Sequence, residues 1–364
     1  MTETRTDSGD SLSAQQLLET ILRDLERPLV IGFAYDVPVG KYTSEGLESV
    51  SAEYEDAPTI AWLRAILQEL GDVVDLPWGA DIVARLGAAE LDVVFNITEA
   101  VGGRNRESLI PALAEARGIP YTGTDALGLG ISLDKHMTKV LARHADVPTP
   151  GSVLLSSPDQ WEERLPDLSA LHFPVIVKPN HGGSSLGIRR FSRTESLSEL
   201  HESAKWVLDN FADGALVEEF VSGREFTVGL LAMPRSRTRS TFELRVLPVA
   251  ELYIEGGGPD AFFSFEEKTV PNKDEVICPA SPPEGTAALM VDYAIRIFEA
   301  LGCRDMARID FRLGHDGVPY FLEINPLPGL SPCYSSFPAQ AEAAGISPKE
   351  LVHLLVVNAL IRGD

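Results

Sequence analysis

The sequence has few cysteines, and those it has are far apart. Its 364 residues contain three, Cys278, Cys303 and Cys333. An odd number of well-separated thiols forms neither a disulfide framework nor the paired spacing of a structural zinc site. This usage is typical of a protein in a reducing compartment, so we expect a cytoplasmic location.

Long apolar runs are also missing. No stretch approaches the ~20 apolar residues that a helix needs to cross a bilayer. Met1–Ser13 is polar and acidic, which argues against a secretory signal or a transit peptide. We expect a disordered tail that leads into an amphipathic helix near Ala14–Leu25, and no membrane partner.

Basic residues are scarce relative to acidic ones. The 31 Lys and Arg against 54 Asp and Glu give a formal net charge of −23. Nucleic-acid binding depends on neutralising phosphates with Lys and Arg, so this balance argues against it. ATP is not excluded, because a nucleotide needs only a local cluster of cations and a metal. Among seven histidines, only His181 lies near candidate chemistry, and no Ser–His–Asp or Cys–His spacing is found.

The pattern of strands and helices predicts an α/β fold followed by α+β regions. Short buried strands at 30–35, 73–76 and 91–95 alternate with helical patterns at 59–71 and 108–117. The length allows two or three domains. We predict four segments: a tail and helix (1–27), an α/β domain (28–122), a central subdomain (123–215) and a C-terminal subdomain (216–364).

A predicted β-hairpin near the C-terminus carries three side chains with oxygen ligands. Apolar and polar residues alternate on both sides of the Asp316-Gly317 turn, which is typical of two paired strands. Glu323 and Asn325 are two residues apart and share a strand face, and Asp310 comes from the neighbouring strand. Such ligands, without His or Cys, suit Mg²⁺. The alternative is an acidic, solvated hairpin, which the enclosing Ile, Phe and Leu residues disfavour.

A glycine- and serine-rich loop follows a strand that carries Lys178. The segment Gly182–Gly187 reads G-G-S-S-L-G, so its backbone N–H groups and the hydroxyls of Ser184 and Ser185 can form an anion-binding nest. Its spacing is neither that of a P-loop nor G-x-G-x-x-G. A plain turn is the alternative, and the preceding Val-x-Lys-Pro favours a phosphate-binding loop.

The segment Leu216–Glu225 combines a strand edge with several carboxylates. Glu218, Glu219 and Val221 lie on the edge, and Glu225 follows a Ser-Gly turn. Such an edge can hold adenine through backbone groups and a carboxylate, while a second carboxylate accepts from ribose hydroxyls. An acidic strand and turn without a ligand is an equal alternative.

A few cations stand out by their context. Lys139, Lys178 and Lys268 are the lysines that we expect to face phosphates, although an isolated lysine is usually a solvated side chain. Arg308 lies two residues before Asp310 and therefore on the same strand face. A planar guanidinium there can hold a transferring phosphoryl group or a developing oxyanion.

With these motifs assembled, the chain resembles the ATP-grasp superfamily and, within it, the D-alanine–D-alanine ligase family. The resemblance covers roughly Asp92 to Val357. It is carried by these segments: Ser132–Lys139, Phe173–Gly187, Glu218–Glu225, Cys278–Ala280 and Arg308–Gly329. The architecture it implies is an ATP-grasp fold, with ATP between two α+β domains, after an N-terminal parallel α/β domain.

The resemblance implies an ATP-dependent, ADP-forming carboxylate–amine ligase and, with it, a homodimer. The γ-phosphate passes to a substrate carboxylate, and an amine then attacks the acyl phosphate. The implied roles are Lys139 and Lys178 on the ATP phosphates, Glu218, Glu219 and Val221 on adenine, Glu225 on ribose, Ser184 and Ser185 in the closing loop, Lys268 at the γ-phosphate, Arg308 and the Gly329 amide at the oxyanion, and Asp310, Glu323 and Asn325 on two Mg²⁺ ions, for which Mn²⁺ can substitute.

The sequence departs from the family where the substrate is chosen. The family's G-G-x-S-x-E-x-x-V-S segment, whose Glu holds an amino acid's ammonium, does not follow the first strand. Thr98–Glu107 replaces the family's His-Gly and Gly-Glu-Asp-Gly loop, and the residues after Gly329 form an altered acceptor pocket. The substrate candidates from these departures are Glu53, Glu55, Glu99, Tyr334 and Ser335.

We therefore expect a ligase that activates the carboxylate of an amino acid or a related compound and joins it to an amine, both small molecules. One alternative is an authentic D-alanine–D-alanine ligase of cell-wall synthesis. Another is a nucleotide-binding protein without catalysis, against which the intact metal set and Arg308 argue.

Overall fold

The computed structural model describes residues 14–24, 27–37, 54–100, 102–183, 187–189, 192–211, 214–235, 242–254, 258, 261–262 and 274–363. Its strands are β1 (Leu29–Tyr35), β2 (Gly71–Pro77), β3 (Val93–Asn96), β4 (Ser152–Leu155), β5 (Val175–Pro179), β6 (Arg193–Thr194), β7 (Ala215–Glu219), β8 (Gly223–Pro234), β9 (Phe242–Val246), β10 (Ala250–Ile254), β11 (Asp274–Ile277), β12 (Met306–Gly314) and β13 (Pro319–Asn325). Its α-helices are α1 (Ala14–Asp24), α2 (Ala57–Gln68), α3 (Ile82–Ala88), α4 (Leu109–Glu115), α5 (Ala126–Leu133), α6 (Lys135–His144), α7 (Trp161–Ser169), α8 (Leu197–Asn210), α9 (Thr286–Ala300), α10 (Ser336–Ala343) and α11 (Pro348–Arg362).

The N-terminal unit is a parallel α/β layer, which confirms the fold class predicted for this region. β1 lies between β2 and β3, and both neighbours run parallel to it. Helix α2 begins where the Asp56 side chain accepts a 2.9 Å hydrogen bond from the backbone N–H of Thr59. Ile31, Phe33 and Phe95 have no exposed surface, because helices cover both faces of a parallel sheet.

The middle unit is a four-stranded antiparallel sheet in the order β4-β7-β5-β6. Helices α7 and α8 cover it, and Val177, Leu200 and Val217 are fully buried in its core. Because β5 pairs with β7, Lys178 and Glu218 project from the same face of the sheet. This pairing sets the geometry of the site described below.

The third unit contains the predicted hairpin, and the strand pairing confirms it. Its sheet has the order β11-β10-β8-β12-β13, and β9 also pairs with β8. β12 and β13 are antiparallel, with Asp310 opposite Glu323 and Arg308 opposite Asn325. Helix α9 packs on the other face of this sheet, in a core that includes Ile309.

The two ends of the described chain pack on the N-terminal unit. Leu17 of α1 and Leu355 of α11 share a hydrophobic core with Phe33 of β1. The predicted boundary between residues 215 and 216 falls at the start of β7, a strand of the middle sheet. The division into four segments stays a prediction, and Met1–Ser13 lies outside the described residues.

No single helix within the described residues has the length and apolar character to span a membrane. The pair α10 and α11, bent by 98° between them, meets that requirement only when both are counted together.

Candidate active site

Two adjoining cavities form one cleft where the three units meet. The first has a volume of about 110 Å³ and the second a volume of about 350 Å³. The residues that line both cavities are Lys135, Gly182, Gly183, Glu225, Asp310 and Glu323. We call this shared set the junction.

The hairpin brings together the three predicted metal ligands and the predicted arginine. Asp310 is 3% exposed and accepts hydrogen bonds from Arg308 Nε (3.1 Å), Arg308 Nη2 (2.9 Å) and Asn325 Nδ2 (3.2 Å). Burial works to lower the pKa of the Arg308 guanidinium, but the Asp310 carboxylate outweighs it and raises that pKa. Buried Asp310 does not match a solvated acidic hairpin. The carboxylate and amide oxygens of Asp310, Glu323 and Asn325 fit a hard divalent cation.

A buried carboxylate in the wall of the first cavity pairs with two of the predicted lysines. Glu218 is 2% exposed and lies 2.8 Å from Lys139 Nζ and 3.2 Å from Lys178 Nζ. Burial works to raise the pKa of Glu218, but the two ammonium groups lower it overall. Burial lowers the pKa of Lys139 to about 8, against the attraction of Glu218.

Lys139 is predicted to contact phosphates, and the structure places it behind Glu218, a residue of the wall of the first cavity. Its side chain is fully buried and donates to Thr149 Oγ1 and to the carbonyl of Leu322, each at 3.2 Å, and it lines neither cavity. Lys135, one helical turn earlier on α6, lines both cavities, and its amine lies 3.4 Å from Glu323 Oε2. Sequence analysis missed Lys135, although the same Ser132–Lys139 motif contains both lysines.

The predicted phosphate loop is anchored beside the first turn of α6. Asp134 caps that helix by accepting from the backbone N–H of Met137 at 3.0 Å. The same carboxylate accepts from Asn180 Nδ2 at 2.8 Å and lies 3.1 Å from His181 Nε2. Burial works to raise the pKa of Asp134, but these contacts lower it strongly.

At the start of this loop, the amine of Lys135 donates to the carbonyl of Gly182. Gly182 and Gly183, the first two residues of the predicted anion-binding segment, therefore line the junction. Ser184, Ser185 and Lys268 lie outside the described residues.

The strand edge predicted for adenine forms a wall of the first cavity. Glu218, Glu219 and Val221 all line it, and Glu225 lines the junction. Glu219 accepts from the backbone N–H of His172 at 2.9 Å. Burial works to raise the pKa of Glu219, but its contacts with His172 lower it.

Glu55 reaches the loop after β13 and lines the second cavity. Its Oε1 accepts from the backbone N–H of Leu330 at 2.5 Å, and its Oε2 accepts from Tyr334 Oη at 3.1 Å. Burial raises the pKa of Glu55, and it also raises the pKa of Tyr334 to about 12. A Cβ on Gly329 would lie 2.8 Å from Ser335 Oγ, so glycine is needed for this close approach. Glu53 lies outside the described residues.

The loop that replaces the family's acidic motif brings two carboxylates to the second cavity, and Arg106 lies between them. Arg106 Nη1 lies 3.3 Å from Glu99 Oε2, and Arg106 Nη2 lies 3.3 Å from Glu107 Oε1. Ala100 adopts a left-handed backbone (φ 57°), and Asp36 accepts hydrogen bonds from the N–H groups of Glu99 and Ala100. Glu99, a predicted substrate residue, lines the second cavity, and so does Glu107, which sequence analysis did not single out.

The three-unit fold and this cleft define the class of protein. A strand-edge cavity, a glycine-rich loop and an acidic hairpin that meet at one junction are the architecture of an ATP-grasp ligase. A solved structure described as the D-alanine–D-alanine ligase from Bacillus anthracis complexed with ATP has the same fold, with a TM-score of 0.69 and 22% identity, covering 92% of this chain and 98% of that chain.

Sequence comparison gives the family. The family described as "D-ala D-ala ligase C-terminus" matches residues 141–357, more than half of the chain. A relative named D-alanine–D-alanine ligase from Bordetella petrii is 35% identical over 283 residues, covering 77% of this chain and 80% of the relative. A relative from Sinorhizobium fredii, named uncharacterized protein y4sG, is 35% identical over 263 residues, covering 72% of each chain.

The chain belongs to the D-alanine–D-alanine ligase family. It is an ATP-dependent, ADP-forming ligase of small-molecule carboxylates and amines, and it uses a divalent metal.

Proposed function

We propose that the chain binds ATP in the first cavity and an amino acid or related acid in the second, and transfers the γ-phosphate to the acid's carboxylate at the junction. The observation that carries this proposal is the sharing of Lys135, Asp310 and Glu323 by both cavities. Two substrates that occupy adjoining cavities meet where the walls coincide, so the reacting groups are held close together.

Lysine side chains and the glycine- and serine-rich loop hold the ATP phosphates. Lys135 at the junction and Lys178 in the first cavity contact the ATP phosphates, and the pairing of Lys178 with buried Glu218 holds its amine in the wall of that cavity. Ser184 and Ser185 close over the phosphates, and Lys268 approaches the γ-phosphate. Exclusion of water by this loop protects the acyl phosphate from hydrolysis.

Asp310, Glu323 and Asn325 hold two Mg²⁺ ions, and Mn²⁺ can replace them. Divalent cations bound by these residues would neutralise negative charge on the phosphates. Glu218, Glu219 and Val221 recognise adenine, and Glu225 recognises the ribose. These side chains need only orient the nucleotide, because phosphoryl transfer depends on positioning and charge neutralisation more than on a strong base.

Arg308 and the backbone N–H of Gly329 stabilise the oxyanion that forms when the amine attacks the acyl phosphate. Arg308 lines the second cavity, and its guanidinium is held in place by both oxygens of Asp310. A donor that is already oriented stabilises developing charge without a cost of reorganisation.

The second cavity selects the substrates. Glu55 binds an ammonium group next to Gly329, where its carboxylate already accepts two hydrogen bonds. Glu53, Glu99, Tyr334 and Ser335 complete the recognition of the acid and the amine. Because these positions differ from the family pattern, we propose a substrate other than D-alanine. Homodimer formation and a cytoplasmic location belong to the same proposal.

The test is Mg²⁺-dependent ADP release with D-alanine alone, beside a panel of L- and D-amino acids. The proposal predicts little ADP with D-alanine and clear release with another member of the panel. Strong turnover with D-alanine alone would instead assign to the chain the D-alanine–D-alanine ligase reaction for which the Bordetella petrii relative is named. No release with any acid, together with tight ATP binding, would favour a nucleotide-binding protein without catalysis.

A further inference from the structure

A buried arginine in the first cavity has no role in the chemistry above. Arg312 lies on β12, two residues beyond Asp310, and is 6% exposed. It lines the first cavity, and the pairing of β12 with β8 places it directly opposite Glu225. A buried guanidinium carries a desolvation cost, so its partners are expected to have a structural or functional purpose.

The guanidinium connects three segments around the nucleotide position. Its Nε donates to the carbonyl of Gly223 at 3.1 Å, and its Nη2 donates to the carbonyl of Ala261. Its plane lies over the ring of Phe220, with Cζ 4.9 Å from the ring centroid. Phe220 in turn packs edge-on against Phe262, with centroids 5.9 Å apart. Both rings line the first cavity.

The contact with Glu225 is electrostatic rather than a direct hydrogen bond. Arg312 Nη1 lies 3.9 Å from Glu225 Oε2, which is beyond hydrogen-bonding distance. At that distance the positive charge attracts and orients the carboxylate without a direct hydrogen bond to it. The fork geometry of arginine lets it hold the two carbonyls and attract the carboxylate together, which a lysine amine does less well.

We infer that Arg312 is a positioning residue that fixes Glu225 and Phe220 for recognition of the nucleotide's ribose. The inference rests on the proposed role of Glu225 at the ribose hydroxyls. The site should therefore discriminate ATP from deoxy-ATP, because a site arranged to hydrogen-bond a hydroxyl rejects an analogue that lacks it. Loss of the arginine therefore weakens ATP binding and removes most of this discrimination.

The experiment measures binding by calorimetry of Mg²⁺ complexes of ATP, 2′-deoxy-ATP and 3′-deoxy-ATP to the full-length chain. Wild type is expected to bind ATP about tenfold more tightly than the analogue without the recognised hydroxyl. We define the discrimination ratio as the Kd of the weaker-binding deoxy analogue divided by the Kd of ATP. Arg312→Met is expected to bring this ratio close to one. Arg224→Met is the matched control, because Arg224 is a half-exposed arginine on β8 that pairs with Glu251 and lines neither cavity. Its ratio is expected to equal that of wild type.

Equal weakening of all three ligands in Arg312→Met, with the ratio preserved, would overturn the inference. If Arg312→Met does not fold, Arg312→Lys is measured instead. Its discrimination ratio is expected to be about threefold lower than that of wild type, and an unchanged ratio would contradict the inference. Glu225→Gln separates a failure of this inference from a failure of the proposed function. An unchanged ratio in that variant would refute the ribose role and this inference but not the ligase activity, whereas failure of wild type to bind ATP would refute the proposed function itself.

Discussion

The two cavities of the cleft are built from different kinds of backbone. The first is lined largely by paired strands, such as β5, β7 and β12, whose register fixes where each side chain points. About half of the residues that line the second lie in connections, including Glu55 before α2, Ile97 and Glu99 after β3, and the segment Pro326–Gly329 after β13. Loops tolerate substitution and insertion better than paired strands do. If ATP occupies the first cavity and the substrates occupy the second, as proposed, the scaffold fixes the nucleotide site and replaceable segments set the choice of substrate.

The largest effect is expected at the junction, where both cavities depend on one carboxylate. Asp310→Asn should lower kcat by at least about 10³-fold, because a neutral amide weakens metal binding and releases Arg308. Steady-state ADP release with the substrate found in the panel measures this. Asp316→Asn on the exposed turn of the same hairpin is the control and should remain within about twofold of wild type. Full turnover in Asp310→Asn would remove the metal assignment.

The next comparison separates two lysines on one helix. Lys135→Met should reduce kcat/KM for ATP about 10²-fold with little change in Tm, because Lys135 lines both cavities. Lys139→Met should instead destabilise the fold by about 3 kcal/mol, because buried Glu218 loses one of its two cations. Kinetics and thermal unfolding of both variants test the distinction. The opposite pattern would favour Lys139 over Lys135 as the phosphate ligand.

A smaller effect is expected at the second cavity. Glu55→Gln should raise the KM of the amino-acid substrate about 10-fold to 100-fold and leave the KM of ATP within about twofold, because only the second cavity contains this carboxylate. Glu69→Gln is the control, since Glu69 pairs with Lys349 on the surface. Equal changes in both KM values would show that the cavities are not functionally separate.

The smallest effect concerns stability and pH. Burial raises the pKa of Glu55, so the folded chain binds this proton more tightly than the unfolded chain does. At a pH above the raised pKa, ionised Glu55 lowers the free energy of unfolding. This loss shrinks as the pH falls through the raised pKa, and it is gone below the ordinary pKa of a carboxyl group. Glu55→Gln should raise Tm by about 2 °C at pH 7, with a smaller gain near pH 4.

Glu350 is the control with the opposite sign. Its hydrogen bonds with Ser347 in the capping box of α11 lower the pKa of Glu350. That carboxylate stabilises the fold above the ordinary carboxyl pKa and loses this contribution as the pH falls through the lowered value. Glu350→Gln should therefore lower Tm at pH 7, and a rise would contradict this assignment.

Sequence reasoning was strongest where periodicity determines geometry. A period of two placed Asp310, Glu323 and Asn325 together, because a strand alternates its faces and the turn fixes the register. Periodicity does not distinguish Lys135 from Lys139, because residues four apart share a helix face, and only tertiary packing decides which amine lines the cleft.

Contacts between distant segments could not be predicted from the sequence. The hydrogen bond from Leu330 to Glu55 joins residues 275 positions apart, and no local pattern signals it. The pairing of Arg312 with Glu225 likewise depends on which strands of the third sheet are neighbours. Such contacts follow from topology, which motif spacing does not specify.

The most direct test of phosphoryl transfer across the junction uses an isotope. The amino acid that supports ADP release in the panel is prepared with ¹⁸O in its carboxylate, and the released phosphate is analysed by mass spectrometry. Formation of an acyl phosphate transfers one carboxylate oxygen to the phosphate when the amine displaces it, so labelled phosphate is the expected result. Unlabelled phosphate, with ADP formed at the same rate, would show that ATP is hydrolysed without activating the acid and would contradict the proposed function.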